Sequence, residues 1–121
     1  MKLAIALTTN DIMGPIGQSF GRSGYFGIYD LDTDECYYIE NTASAHHGGA
    51  GVSASQFIID QDVSILIIPR CGENAYLVLE SSGIALFKAI EGNGRANIEA
   101  YKNGKLSSLG VSSAGAFKGQ K

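Results

Sequence analysis

The order of hydrophobic patterns predicts an α/β domain built on a mixed sheet. Three observations carry that prediction. Residues 3–7 form a continuous apolar run closed by Thr8-Thr9-Asn10, as expected of a strand buried on both faces. Two runs rich in Tyr, Ile and Phe flank the polar turn Asp32-Thr33-Asp34-Glu35 and read as a β-hairpin. After residue 50, apolar runs alternate with segments of helical spacing, which calls for parallel crossovers covered by helices.

Each element has its own reason. After the first strand, residues 8–23 hold Gly14, Gly17, Gly21 and Pro15 with little periodicity. A loop of that length in a small domain is uncommon and usually functional. Residues 25–31 and 36–41 are the hairpin strands, and residues 41–51 form a second loop. Over residues 52–60, Ala54, Phe57 and Ile58 take the i, i+3, i+4 spacing of a helix face. Residues 63–69 are a further strand, which Pro69 ends at the sheet margin. Gly72 opens a helix through Leu79 with Ala75, Val78 and Leu79 on one face. Residues 84–89 are a strand and residues 91–94 a turn. Residues 95–103 are a helix that turns Ile98 and Tyr101 inward, and Gly104 is placed to cap its C-terminus. One domain over residues 1–106 results, followed by a flexible Ser/Gly-rich tail over residues 107–121. The loops after the first, third and fourth strands are expected to converge at one edge, where open α/β sheets bind ligands.

Composition narrows the function. Glycine makes up 16 of 121 residues, against a usual ~7%. With 45% hydrophobic residues and only two prolines, this excess is neither collagen nor a disordered linker. Nine basic and twelve acidic residues give a net charge of −3 with no Lys/Arg run, so no nucleic-acid partner is expected. The apolar runs are far short of the ~20 residues that span a bilayer, and the N-terminal run is too short for a signal peptide. A cytoplasmic protein with no membrane partner is expected, its two cysteines free thiols or ligands rather than a disulfide.

Several motifs dissolve on inspection. Asp30-x-Asp32-x-Asp34 begins like a calcium loop but lacks the glycine and glutamate that complete one, and a solvated hairpin turn explains it. Gly92-x-Gly94-x-x-Asn97 misses the third glycine of a dinucleotide fingerprint and follows the last strand. Neither a Walker A sequence nor a nucleophile elbow occurs. No acid–base pair at a supporting spacing argues for an enzyme.

Other residues keep two readings. His46 and His47 lie in the glycine-rich loop Gly48-Gly49-Ala50-Gly51 directly before a helix. Such a loop lets backbone approach a ligand, the helix end favours an anion, and imidazole supplies a metal-capable nitrogen. The same pattern also fits solvent-facing histidines beside a helix start. Cys71 sits before Gly72 at the next helix start, a place expected to lower the thiol pKa, with Arg70 acting in the same direction. It reads as a soft metal ligand or as a small buried hydrophobe. Cys36, at the start of a strand, reads as the latter. Arg22 offers a guanidinium fork to an anion or pairs with a carboxylate. Met13 is a soft thioether contact or an exposed loop residue.

Leu3-Ala4-Ile5-Ala6, Phe20-Gly21-Arg22-Ser23-x-Tyr25-Phe26, His47-Gly48-Gly49-Ala50-Gly51, Gly72-x-Asn74-Ala75 and Ser82-Gly83-Ile84 follow one another along the chain. This ordered set of segments resembles the dinitrogenase iron–molybdenum cofactor biosynthesis family, which includes nitrogenase cofactor carriers and the orange-protein branch. The resemblance implies a ribonuclease-H-like α/β fold with a five-stranded mixed sheet flanked by helices. It implies non-catalytic binding, storage or transfer of a metal–sulfur cluster, either an iron–molybdenum cofactor precursor or a molybdenum–copper sulfide. Metallocluster donor and acceptor proteins are then the expected partners. Carried over by position, it singles out His46 or His47, the glycine loop after them, and Arg22 with its loop. Together with the residue-level reading this gives His46, His47 and Cys71 as metal ligands and Arg22, Gly48, Gly49, Gly51 and Gly72 as the surrounding seat. Cys71 departs from the family pattern, in which a glycine or small residue is usual. A nuclease of the same fold would need clustered carboxylates for two metals, and the first strand carries none. A different class stays open: a metal-free interaction module that docks a partner such as an ATPase.

Overall fold

The computed structural model describes residues 1–17, 19–42 and 50–109. Its elements are β1 (Lys2–Leu7), β2 (Tyr25–Asp30), β3 (Cys36–Glu40), α1 (Ala50–Ile59), β4 (Ile65–Ile68), α2 (Glu73–Ser81), β5 (Ala85–Lys88) and α3 (Gly94–Lys102). They form one five-stranded sheet in the order β3-β2-β1-β4-β5. β2 pairs antiparallel with both β1 and β3, while β1–β4 and β4–β5 are parallel, so β2 alone runs against the rest.

The layering follows from that order. The connections from β3 to β4 and from β4 to β5 both step across the sheet in one direction. Right-handed crossovers therefore put α1 and α2 on the same face. Ala4 and Ala6 of β1 face them, packed with Ala54, Ile58, Ala75 and Leu79. Leu3, Ile5 and Leu7 point the other way, toward Ile98 of α3. The small residues admit two closely packed helices, and the large ones fill the side that a single helix covers. All five residues from Leu3 to Leu7 are fully buried, as the continuous apolar run requires.

The Asp30–Asp34 segment is a hairpin turn. Asp34 takes a positive φ of 62°, and its carboxylate accepts from the Tyr29 hydroxyl and from Lys102 Nζ. Asp32 pairs with the chain's amino terminus at 2.6 Å. Gly92-x-Gly94-x-x-Asn97 forms the start of α3. A Cβ at Gly94 would stand 2.7 Å from the Ile12 carbonyl oxygen, and buried Asn97 bonds both the N–H and the C=O of Ile90. Gly104 takes φ 70° just beyond α3, as its C-terminal position called for.

The loop after β1 is held by its own backbone: Thr8 N–H donates to Pro15 O at 3.0 Å, Gly17 N–H to Ala6 O at 3.1 Å, and Pro15 bridges to Asn93. The chain also stays on the sheet past residue 106. Lys88 N–H donates to Ser107 O, Leu109 N–H donates to Leu86 O, and Leu109 is buried on the α1/α2 face. One apolar side chain in a Ser/Gly run is enough to dock when it lands over the edge strand. Residues 110–121 lie outside the described residues. Both cysteines are free thiols. Among the described residues, no helix is long and apolar enough to cross a membrane.

Candidate functional site

β1, β3, β4 and β5 all end at one edge of the sheet. There, on the α1/α2 face, an open cavity of ≈ 400 Å³ is lined by Phe20, Gly21 and Arg22, by Val52 of α1, and by Cys71 through Ala75. The loop after β1 and the loop after β4 thus meet as expected, with the first turns of α1 and α2 beside them.

The Arg22 turn is held from several sides. Phe20 is fully buried and packs against Phe26 with ring centroids 5.4 Å apart. Its N–H donates to Arg70 O at 2.9 Å, which ties this turn to the segment before α2. Ser23 Oγ donates to Ser19 O at 2.6 Å. Buried Asn41 donates from Nδ2 to Gly21 O at 3.2 Å and to Ser23 O at 2.8 Å. Gly17 lies so close to Ser23 that a Cβ would meet its Oγ at 2.2 Å. Arg22 itself is exposed on this fixed turn.

The first turn of α2 is open. Gly72 is its N-cap and offers no side-chain cap. Tyr76 N–H donates to Gly72 O at 3.0 Å, but the amides of Glu73, Asn74 and Ala75 have no acceptor among the described residues. These amides and the positive end of the helix dipole favour an anion. The Glu73 carboxylate lines the same cavity and offsets part of that charge. A Cβ at Gly72 would meet nothing within 4 Å, so the glycine leaves the approach to these amides clear.

Cys71 lines the cavity and packs, half-buried, against the core under α1 and α2 together with Tyr76. Burial pushes its thiol up to about 11, from an ordinary 9.0. This corrects the expectation of a depressed pKa: the apolar packing outweighs the helix end. At neutral pH the thiol keeps its proton. Cys36 is on the opposite face near Tyr38, where burial also raises its pKa, in keeping with a small buried hydrophobe. Met13 is 58% exposed, in the half of the loop tied to α3.

Arg22, Cys71 and Gly72 therefore share one cavity. Gly51 lies in the first turn of α1. His46, His47, Gly48 and Gly49 lie outside the described residues. Sequence reasoning missed Asn41, Val52 and Glu73. Asn41 directly follows a strand and precedes a glycine-rich loop, a place where a buried amide often ties turns together. Among the described residues, no group of three or more His, Cys, Asp or Glu side chains could hold a metal ion. What the described residues offer is charge, backbone amides and one thiol.

Residues 1–104 match the family described as dinitrogenase iron-molybdenum cofactor. The chain belongs to this family. The iron-molybdenum cofactor family member is similar to an uncharacterized protein of Methanocaldococcus jannaschii, 29% identical over 109 residues, covering 88% of this chain and 89% of that one. Its fold matches the apo form of the orange protein from Desulfovibrio gigas with a TM-score of 0.86 at 22% identity, over 89% of this chain and 92% of that one. It also matches a NifB-like protein from Thermotoga with a TM-score of 0.79 at 28% identity, over 89% and 92% of the two chains. The family's description associates its members with the iron-molybdenum cofactor of dinitrogenase, and the solved structures show the shared fold.

Proposed function

We propose that the domain is a non-catalytic cytoplasmic carrier that binds, stores or hands over an anionic metal–sulfur cluster, either an iron–molybdenum cofactor precursor or a related molybdenum, iron or copper sulfide. The observation that carries this reading is the shared cavity of Arg22 and the uncapped first turn of α2. Metal sulfides of this type are commonly anionic and bulky. A guanidinium, three amides without an acceptor among the described residues and a helix dipole hold such a charge without consuming a coordination site. The cavity's openness suits a cargo that must leave for an acceptor protein and arrive from a donor. The strand order, with β2 alone reversed, supports the ribonuclease-H-like label.

Direct ligation falls to Cys71, which becomes a thiolate on metal binding, and to His46 and His47. The histidines enter on sequence grounds, because they precede α1, whose first turn reaches the cavity through Val52. Gly72 keeps the backbone at the start of α2 accessible, and Gly48, Gly49 and Gly51 join the seat on sequence grounds.

Anaerobic reconstitution with iron, sulfide and molybdate, followed by absorbance and metal counting, tests this reading. The wild type is expected to retain a coloured cluster. The His46→Ala/His47→Ala/Cys71→Ala variant is expected to lose most of it. Equal uptake by both would remove these residues from the site. Partner capture that survives chelation, with no cluster ever recovered, would favour the metal-free interaction module.

A further inference from the structure

Asn41 is 2% exposed and stands immediately after β3. Its backbone N–H donates to Gly24 O at 2.8 Å, one step beyond the end of the β2–β3 ladder. Its side-chain amide then spends its donors on Gly21 O and Ser23 O, the carbonyls immediately before and after Arg22. One side chain thus grips the turn on both sides of the residue that carries the cavity's guanidinium. Glycines at 21 and 24 leave that turn few conformational restraints of its own.

We propose that Asn41 is a positioning residue for anion binding, fixing the backbone of Arg22 so that its guanidinium is held at the cavity; the affinity consequence rests on the cavity being the cluster site. The required chemistry is specific. The partners are two carbonyl oxygens, so position 41 must supply two N–H donors from a short side chain. Aspartate has nearly the same shape but turns an acceptor toward both oxygens. Alanine supplies neither donor and leaves both carbonyls short of a partner.

The test is a double-mutant cycle read with tetrathiomolybdate as the anionic probe, in anaerobic titrations of the full chain. Asn41→Ala, which removes both donors without adding charge, is expected to weaken binding about tenfold, the scale of the hydrogen bonds lost. In an Arg22→Ala background the same substitution is expected to change affinity less than about twofold, because there is no guanidinium left to place. A purely structural role would lower thermal stability equally in both backgrounds without this non-additivity. Wild-type affinity in Asn41→Ala, or a full loss that persists in the Arg22→Ala background, would overturn the proposal. Should Asn41→Ala fail to fold, Asn41→Ser, which keeps one shorter donor, takes its place in the cycle. A second measurement needs no ligand: nitrogen-relaxation order parameters at Arg22 and Ser23 are expected to fall in the Asn41 variant while those of β4 hold. Unchanged order at Arg22 would also overturn the assignment. If wild-type protein takes up no tetrathiomolybdate, the cluster reading fails by itself, and the relaxation data still decide the role of Asn41.

Discussion

The N-termini of α2 and α3 stand at the same edge of the sheet, on opposite faces, and are finished in opposite ways. At α3 every one of the first four amides has an acceptor. Gly94 N–H donates to Gly14 O, Arg95 N–H to Ile12 O, and Asn97 N–H to Asn93 O. Ala96 N–H donates to the Asn93 side chain at 2.8 Å. The first half of the long loop is folded over this end and closes it. At α2 the N-cap is glycine, and three amides face the cavity without an acceptor among the described residues. The second half of the same loop does not cover them. It stops short and brings Arg22 to the rim. A helix start with glycine as its N-cap forgoes about a few tenths of a kcal/mol that a good side-chain cap supplies. The contrast shows the chain able to cap a helix fully where it needs only structure, and leaving one open beside its candidate site.

The closed end should be the sensitive one. Gly94→Ala would drive a Cβ to 2.7 Å from Ile12 O and 2.9 Å from Leu7 Cδ2. Both neighbours are held in place, one by the Arg95 amide and one by the core. Denaturant unfolding is expected to show a loss of about 3 kcal/mol. A loss under about 1 kcal/mol would mean that the loop over α3 yields easily, and that the two ends differ less than their hydrogen bonds suggest.

The thiol at the open end gives the next largest effect. Cys71 has a raised pKa of about 11. In a Cys36→Ser background its alkylation rate at pH 8 is expected to be roughly a hundredfold below that of the unfolded chain, following the thiolate fraction. The rate should climb about tenfold per pH unit and level off only near 11. The folded state holds this proton more tightly than the unfolded state does. Its contribution to stability is therefore complete below the ordinary value of 9.0 and is lost as the pH rises through about 11. A plateau near 9 would mean that the apolar packing around Cys71 is not the controlling influence.

Much of this architecture is readable in one dimension. The apolar run of β1, the hairpin around residues 32–35 and the alternation after residue 50 are local patterns, and the topology turns them into a shared loop edge. What escaped reading depends on distance in the chain. Asn41 meets Ser23 and Gly21 across separations of 18 and 20 residues, inside a loop without periodicity. Cys71 was expected to ionise from its helix position, but its burial is set by its packing with Tyr76 under α1 and α2. Leu109 docks under a strand edge that no spacing within its own Ser/Gly segment announces. Arg22 and Gly72 were legible as candidates because each has a chemistry that its neighbours do not supply.

The cap at the closed end is a smaller lever. Asn93→Ala removes the acceptor for Ala96 N–H and is expected to cost about 1 kcal/mol in thermal or denaturant unfolding. Tetrathiomolybdate affinity should not move, because α3 faces away from the cavity. A matching fall in affinity would show that the two ends are coupled through the loop they share.

The smallest expected change in stability is the one that separates the two ends most sharply. Gly72→Asp converts the open end into a capped one. The backbone there is extended, with φ −71° and ψ 164°, which aspartate adopts without strain, and its Cβ enters empty space. Its carboxylate would accept from the amides of the first turn and meet the positive end of the dipole. Stability should rise by a few tenths of a kcal/mol, the usual gain of a side-chain cap over glycine. The same carboxylate would occupy the amides offered to an anion and place a negative charge beside Arg22. Tetrathiomolybdate binding should then weaken about tenfold or more, since a like charge replaces a donor. A protein that became more stable and still bound the probe at wild-type strength would show that the open end of α2 takes no part in anion binding. A protein that bound less while gaining stability would tie the missing cap to function, because a substitution that merely damaged the fold would lower both.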